Sequence, residues 1–131
     1  MPFSRVFRTA YRLAACLALV ACTHNLHLMK MEEQIGRYGG LMRWSEFRRA
    51  LAFYAHPPAV DWQLLKEIKV TGYQPVSRDL LDDDTTVLQT VEIRYVKGDG
   101  VVVRTLIDEQ RWRYEDETGR WLLESEFPKF Q

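Results

Sequence analysis

The chain has 131 residues, of which 47% are hydrophobic and 27% are charged. This balance is typical of a globular protein and argues against a disordered one. The formal net charge is zero, but residues 1–21 contain three of the 18 basic residues and no acidic residue. The rest of the chain has 15 basic and 18 acidic residues. Its net charge of about −3 argues against nucleic acid as a partner.

Residues 1–21 are predicted to be a signal peptide. Arg5, Arg8 and Arg12 precede an uncharged apolar run at residues 13–21. A positive segment followed by a short apolar run is typical of secretory leaders. The run is too short for a membrane-spanning helix, which needs about 20 residues.

The apolar run ends in Leu19-Val20-Ala21-Cys22, a tetrad that resembles the lipobox of bacterial lipoproteins. The resemblance implies cleavage after Ala21, a thioether-linked diacylglycerol on Cys22 and acylation of its new amino group. Two or three acyl chains would anchor the protein stably to a membrane. By the enteric sorting rule, Thr23 after the cysteine favours the outer membrane over the inner one. The expected location is the cell envelope, facing the periplasm.

The remaining chain is predicted to be a lipidated tether at residues 22–27 and one folded domain at residues 28–131. Residues 23–30 fit either a tether or the start of a helix. Cys16 would leave with the leader and Cys22 would be lipidated, so no thiol would remain for a disulfide or a metal site.

Two helices are predicted first. Steps of three and four separate the apolar residues of the first helix, which are Leu28, Met31, Ile35, Tyr38, Leu41 and Met42. Gly39-Gly40 predicts a bend or a break in that helix. Ser45 is the expected N-cap of a second helix over Glu46–Tyr54, and His56-Pro57-Pro58 would end it. Residues 59–65 fit one more turn, with Asp61 near its start.

After residue 65 the hydrophobic period changes to two, which predicts strands. We expect four, at Lys66–Val76, from Thr85, at Val101–Glu115 and at Arg120–Glu126, with the tail at residues 127–131 packing back through its phenylalanines. The predicted turns lie at residues 79–84, 97–100 and 117–119. This order predicts an α+β fold, in which the N-terminal helices pack on a curved four-stranded antiparallel meander sheet.

Two sequence patterns resemble NTF2-like (cystatin-cone) domains. The first is Arg43–Phe47 followed by Ala50 and Phe53, which resembles the N-terminal helices of that superfamily. The second is the closing hairpin, with Gln110–Trp112 on one strand and Gly119–Leu123 at the start of the next. The chain looks most like uncharacterised proteobacterial lipoproteins with this domain. The resemblance implies a cone with a pocket between sheet and helices, used by some members for catalysis and by others for binding or assembly.

Asp108 is the weak candidate for a catalytic residue. It shares a predicted strand face with Leu106 and Trp112, and Arg104 and Gln110 also lie on that face. Either the strand contains a bulge that puts Asp108 on the surface, or the face lines something polar. A buried carboxyl in a pocket would have a raised pKa and could act as a base.

Four aromatic residues, with Asp108, are candidates for lining a pocket: Trp44, Tyr95, Trp112 and Trp121. Residues at such spacing also fit an ordinary core. No metal or cofactor is predicted, because His24 and His27 lack a third ligand and three consecutive aspartates at residues 82–84 would point in different directions.

The sequence therefore favours a non-catalytic binding or envelope-assembly module, held to a membrane through Cys22. Its expected partner is an envelope protein or a small apolar ligand. The alternative is a small pocket enzyme of the NTF2-like type that uses Asp108 in acid–base chemistry. No serine elbow, phosphate loop or zinc spacing is present in the sequence.

Overall fold

The computed structural model describes residues 25–131. The chain divides into two units, residues 1–33 and residues 34–131. The predicted signal peptide, Cys22, Thr23 and His24 lie outside the described residues. Helix α1 covers residues 25–43, so the described part of residues 23–30 is helical. The architecture below is that of the second unit.

The predicted break at Gly39-Gly40 is wrong, because α1 continues through both glycines. Gly39 is buried and Gly40 is exposed. A Cβ atom on Gly39 would lie 2.8 Å from Cε1 of Tyr73, whereas one on Gly40 would meet nothing within 4 Å. The absence of a side chain at residue 39 thus lets the ring of Tyr73 pack against the helix backbone.

Ser45 ends α1 and does not cap the next helix, contrary to the prediction. Its φ is +59°, its N–H donates to the carbonyl of Met42, and the Glu46 N–H donates to the carbonyl of Leu41. These two bonds form the Schellman arrangement of a helix C-terminus. The Ser45 hydroxyl instead accepts a hydrogen bond from the backbone N–H of Val70 at 2.8 Å.

The remaining helices are short. Helix α2 covers Phe47–Ala50, a 3₁₀ turn covers Leu51–Phe53, and helix α3 covers Trp62–Leu65. The predicted second helix therefore ends as a 3₁₀ turn. Asp61 is the N-cap of α3 and accepts hydrogen bonds from the N–H groups of Gln63 and Leu64, in agreement with its predicted position at the start of this turn.

Four antiparallel strands form one sheet in the order β1-β2-β3-β4, so the predicted meander and the α+β class are confirmed. The strands are β1 at Ile68–Leu81, β2 at Thr86–Lys97, β3 at Arg104–Glu115 and β4 at Arg120–Leu123. The first strand is longer than predicted, whereas β3 begins three residues later and β4 ends three residues earlier. Gly98 and Gly119 have positive φ in the two hairpin turns, as turn glycines do.

Two irregularities in β1 decide which of its side chains face the helices. The pairing with β2 shifts between Val70 and Gly72, and again between Pro75 and Ser77. Each β-bulge inserts one residue and so reverses the alternation of the strand. After the first shift Tyr73 pairs with Ile93, and after the second Arg78 pairs with Gln89. Both side chains therefore lie on the same sheet face as the buried residues of β2.

That face, called the inner face here, carries the buried alternate residues of β2 and β3. They are Val87, Gln89, Val91, Ile93, Tyr95, Asp108, Gln110 and Trp112. Tyr38 of α1 packs edge-on against Trp112 with ring centroids 5.3 Å apart. The tail packs back as predicted, since Phe130 contacts the rings of Phe47 and Tyr95.

A matched pair of glycine substitutions tests the packing of Tyr73 on α1. Gly40→Ala should stabilise the protein by about 0.5–1 kcal/mol, because alanine restricts the unfolded chain and meets no neighbour. Gly39→Ala should leave the protein about 1–3 kcal/mol less stable than Gly40→Ala, because its methyl group overlaps Tyr73. Urea unfolding followed by tryptophan fluorescence measures both values. Equal stabilisation by the two substitutions would contradict this packing.

Candidate functional site

The candidate site is a group of hydrogen-bonded polar side chains within the inner face, called the inner-face network here. Its members are Tyr73 and Arg78 of β1, Gln89 of β2, and Asp108 and Gln110 of β3. Gln89, Asp108 and Gln110 are each at most 5% exposed. Polar side chains buried to this extent are tolerated only when they are hydrogen-bonded.

Gln110 is the centre of the network. Its amide nitrogen donates to the Tyr73 hydroxyl at 2.8 Å and to Oδ2 of Asp108 at 2.7 Å. Its amide oxygen accepts from the Gln89 amide at 3.1 Å and from the Trp112 indole N–H at 3.0 Å. A glutamine side chain offers two donor hydrogens and two acceptor lone pairs, so Gln110 uses its full capacity.

The network reaches towards solvent through Arg78. The Nε atom of Arg78 donates to the amide oxygen of Gln89 at 2.7 Å.

A second pair of polar groups lies in the core, where the hydroxyl groups of Tyr38 and Tyr54 are hydrogen-bonded at 3.0 Å. The negative charge of Asp108 acts on both of these tyrosines and on Tyr73.

Burial decides the acid–base behaviour of these groups. It raises the pKa of Asp108 from 3.8 to about 6, and the hydrogen bond from Gln110 offsets part of that increase. Burial likewise raises the pKa of Tyr38, Tyr54 and Tyr73 well above the usual value of 10.0. Near neutral pH, Asp108 is thus the group in this cluster that exchanges a proton.

Two hollows reach the network from different sides. One, of about 390 Å³, lies between residues 107–109 of β3 and residues 126–129 of the tail, and it reaches Asp108. The other, of about 270 Å³, lies between α1 and the sheet beside Tyr73, Arg78 and Gln89. Between the two hollows the core is filled, since Tyr38 and Trp112 have no exposed surface.

Of the two alternatives for β3, the structure places Asp108 on the inner face. The pairing of β3 with β2 runs from Arg104 to Arg113 without a register shift, and the bulges lie in β1. The polar residues on the strand face of Asp108 are therefore explained by the inner-face network and not by a bulge in β3.

The four candidate pocket aromatics do not come together. Trp44 is 73% exposed and lies beside the guanidinium of Arg43. Tyr95 packs on Phe130, and its hydroxyl accepts from the N–H of Gln131. Trp112 and Trp121 are core residues, and of the four only Trp112 contacts the network, through its indole N–H.

Sequence reasoning missed most of the network. Gln89 and Gln110 carried a visible signal, because each interrupts an apolar strand face. Tyr73 and Arg78 carried none, because the two bulges that turn them inward leave no mark in the alternation of β1. Tyr38 and Tyr54 looked like ordinary helix-face residues.

The run of three aspartates considered for a metal ion lies outside the network. Asp82, Asp83 and Asp84 form a turn in which all three have positive φ, and the Asp82 carbonyl accepts from the N–H and hydroxyl of Thr85. Within residues 25–131, no group of three or more His, Cys, Asp or Glu side chains is arranged to hold a metal ion. No helix in the same range is long and apolar enough to cross a membrane.

The chain matches no protein-family model, and no curated protein and no solved structure matches it significantly.

Replacing Asp108 by asparagine tests the electrostatics of the network. The pKa of Asp108 is higher in the folded protein than in the unfolded chain. The folded state therefore binds more protons between about pH 4 and 6, and stability falls as the pH rises through that window. Asparagine does not ionise, so Asp108→Asn removes this loss of stability. It also keeps a side-chain oxygen that can accept the hydrogen bond from Gln110. It should stabilise the protein by roughly 2–3 kcal/mol at pH 7.5 and have little effect near pH 4.

Urea unfolding at a series of pH values measures the difference between the variant and the parent. Glu109→Gln, at the exposed neighbouring position, is the matched control and should show no such pH-dependent difference. A difference for Asp108→Asn that does not vary with pH would show that the folded pKa of Asp108 is not raised.

Proposed function

We propose that the protein is a membrane-anchored bacterial lipoprotein whose folded domain, of the NTF2-like type, acts as a non-catalytic binding or envelope-assembly module. The anchor would be the lipid on Cys22, and Thr23 favours the periplasmic face of the outer membrane. The positive segment, the short apolar run and the lipobox-like tetrad support the anchor. The partner would be an envelope protein or a small apolar ligand.

The α+β architecture supports the domain type. Helices cover one face of a four-stranded antiparallel meander, and the long middle strands place polar groups within that face. An NTF2-like cone has the same layers. The bulges in β1 are a further point of agreement, because β-bulges bend and twist the strand that contains them.

The observation that carries the non-catalytic assignment is the filled interior. Tyr38, Trp112 and Trp121 are at most 1% exposed, and the ring of Tyr38 on α1 packs directly against Trp112 of the sheet. The hydrogen-bonding capacity of Gln110 is used entirely within the network. Such a network specifies one packing of the core, so binding by the surface is the simpler function.

Lipidation is tested by replacing the acylated atom. Cys22→Ser should abolish incorporation of labelled palmitate and leave an uncut or soluble protein, because serine cannot form the thioether. Cys16→Ser is the matched control, and it should be labelled and processed normally. Normal labelling of Cys22→Ser would refute the anchor, and loss of labelling only in Cys16→Ser would move it to the earlier cysteine.

A pocket enzyme of the NTF2-like type is the second candidate, and the raised pKa of Asp108 favours it. A carboxyl with a pKa of about 6 can accept a proton near neutral pH, and the hollow of about 390 Å³ reaches it. In this function Asp108 would be the base, with Gln110 orienting its carboxylate.

Asp108→Asn separates the two functions, since it preserves the fold while removing the base. The measurement is the chemical-sensitivity profile of a deletion strain complemented with the parent chain, with Asp108→Asn or with Cys22→Ser. A binding module needs its anchor and not the carboxylate, so Asp108→Asn should restore the parental profile and Cys22→Ser should not. Failure of a stably expressed Asp108→Asn chain would favour the enzyme.

A further inference from the structure

Part of one sheet edge has no paired strand among residues 25–131. Strand β4 pairs with β3 only over Trp112–Glu115, and Arg111 is bonded by its carbonyl to the N–H of Glu124 and by its N–H to the hydroxyl of Ser125. The chain then leaves the sheet edge. Residues 104–110 of β3 pair with β2 on one side, and no described strand lies on the other.

The backbone groups that face this edge can be identified from the neighbouring bonds. The N–H and the carbonyl of Arg111 both point away from β2, whereas the N–H of Tyr114 points to the carbonyl of Thr85 on the β2 side. The direction alternates along an antiparallel strand, and β3 has no register shift. The N–H and carbonyl groups of Thr105, Ile107 and Glu109 therefore point outward, and none of them has a backbone partner within residues 25–131.

This edge lacks two of the usual protections against strand pairing. Exposed edges are normally protected by prolines, bulges or several charges. Residues 104–110 contain neither proline nor bulge, and their charged residues are Arg104, Asp108 and Glu109. Apolar side chains at and before this edge are among the most exposed of the described chain, with Val101 at 91%, Val102 at 71% and Ile107 at 58%.

A hollow adjoins this edge. The hollow of about 390 Å³ separates residues 107–109 from the tail residues 126–129. The tail reaches the sheet again only at its end, where the Arg104 guanidinium donates to the carbonyl of Gln131 at 2.7 Å.

We propose that this edge pairs with the same edge of a second copy of the chain, so that two β3 strands join antiparallel and the two sheets become one. The two-fold axis would be perpendicular to the sheet and would pass between the two Leu106 residues. Thr105 of each copy would form a hydrogen-bonded pair with Ile107 of the other, and the outward backbone groups would be satisfied.

Charge complementarity selects this register. A perpendicular two-fold axis keeps each face of the sheet on its own side, so opposed residues must both be even-numbered or both odd-numbered. With Leu106 on the axis, Arg104 of each copy lies opposite Asp108 of the other. Opposite charges across strands stabilise a sheet and like charges destabilise it.

The neighbouring registers lack this match. If the axis passed between the two Arg104 residues, their guanidinium groups would lie opposite each other. If it passed between the two Asp108 residues, two carboxyl groups would do so. An axis at Thr105 or at Ile107 places Asp108 opposite an aliphatic side chain, either Val102 or Leu106. The proposed register is the one in which both charges of the segment 104–108 meet their opposites.

Disulfide cross-linking tests the register directly. The protein is the full-length chain with Cys16→Ser and Cys22→Ser, so the result does not depend on the lipid anchor. Leu106→Cys would place two sulfur atoms on the axis at a non-hydrogen-bonded pair, where Cα atoms are about 4.5 Å apart, within disulfide range. Leu88→Cys, on the central strand β2, is the matched control. Copper-phenanthroline oxidation should convert most of the Leu106→Cys chain to a reducible dimer and leave Leu88→Cys monomeric.

Sedimentation equilibrium in neutral detergent tests the pairing without an added cysteine. Ile107→Pro removes an outward N–H without breaking a bond to β2, and Ile107→Thr keeps that N–H as the matched control. Arg104→Glu would place a carboxylate of each copy opposite Asp108 of the other. We expect Ile107→Pro and Arg104→Glu each to raise the dimer dissociation constant by about tenfold or more, and Ile107→Thr to have a smaller effect.

Every outcome bears on the proposal. The proposal is overturned if the parent chain sediments as a monomer at 100 times the concentration used for cross-linking. Binding of another protein from a cell extract would not rescue it. A dimer unaffected by Ile107→Pro and Arg104→Glu overturns the edge pairing. Equal cross-linking of Leu106→Cys and Leu88→Cys overturns the register, and the expected pattern in both experiments supports it. Palmitate labelling of Cys22 can succeed or fail independently of these results.

Discussion

A buried amide constrains the whole inner face. Gln110 has four hydrogen-bonding positions inside a core that excludes water, and each unfilled position would destabilise the fold by about 1–3 kcal/mol. Its four partners come from β1, β2 and β3, so those strands must hold one register. The bulges in β1 follow from the same constraint, because Tyr73 reaches Gln110 only after the first of them has reversed the strand. Gly39 then has to lack a side chain, since the ring of Tyr73 occupies its position.

This constraint also bears on function. A network that satisfies itself leaves few polar groups for a ligand, and the aromatic core beside it has no exposed surface. Asp108 is the exception, because burial keeps its pKa near 6 and a hollow reaches it from the open edge of β3. The two proposed functions differ in whether this carboxyl serves the fold or reacts with a substrate. The filled core favours the first.

The uncovered edge of β3 gives a structural reason for acting through a surface. A short β4 covers one end of β3 and leaves the other end exposed beside three consecutive valines. In the proposed dimer, Arg104 of one copy approaches Asp108 of the other, so the interface would include a carboxyl that belongs to the network. The proposed lipid anchor would also hold two copies on one membrane at a raised local concentration, which favours a weak edge contact.

The sequence by itself determined the helix-then-meander order, the turn glycines and the packing of the tail, because each follows from local periodicity or backbone preference. It also marked Asp108 and Gln110 as polar residues on an apolar strand face. Only the tertiary structure decided that Asp108 faces inward, that Ser45 ends α1, and that Tyr73 and Arg78 join the network. These outcomes depend on pairing between residues far apart in the chain, and a bulge changes the face of every later side chain without changing the local pattern.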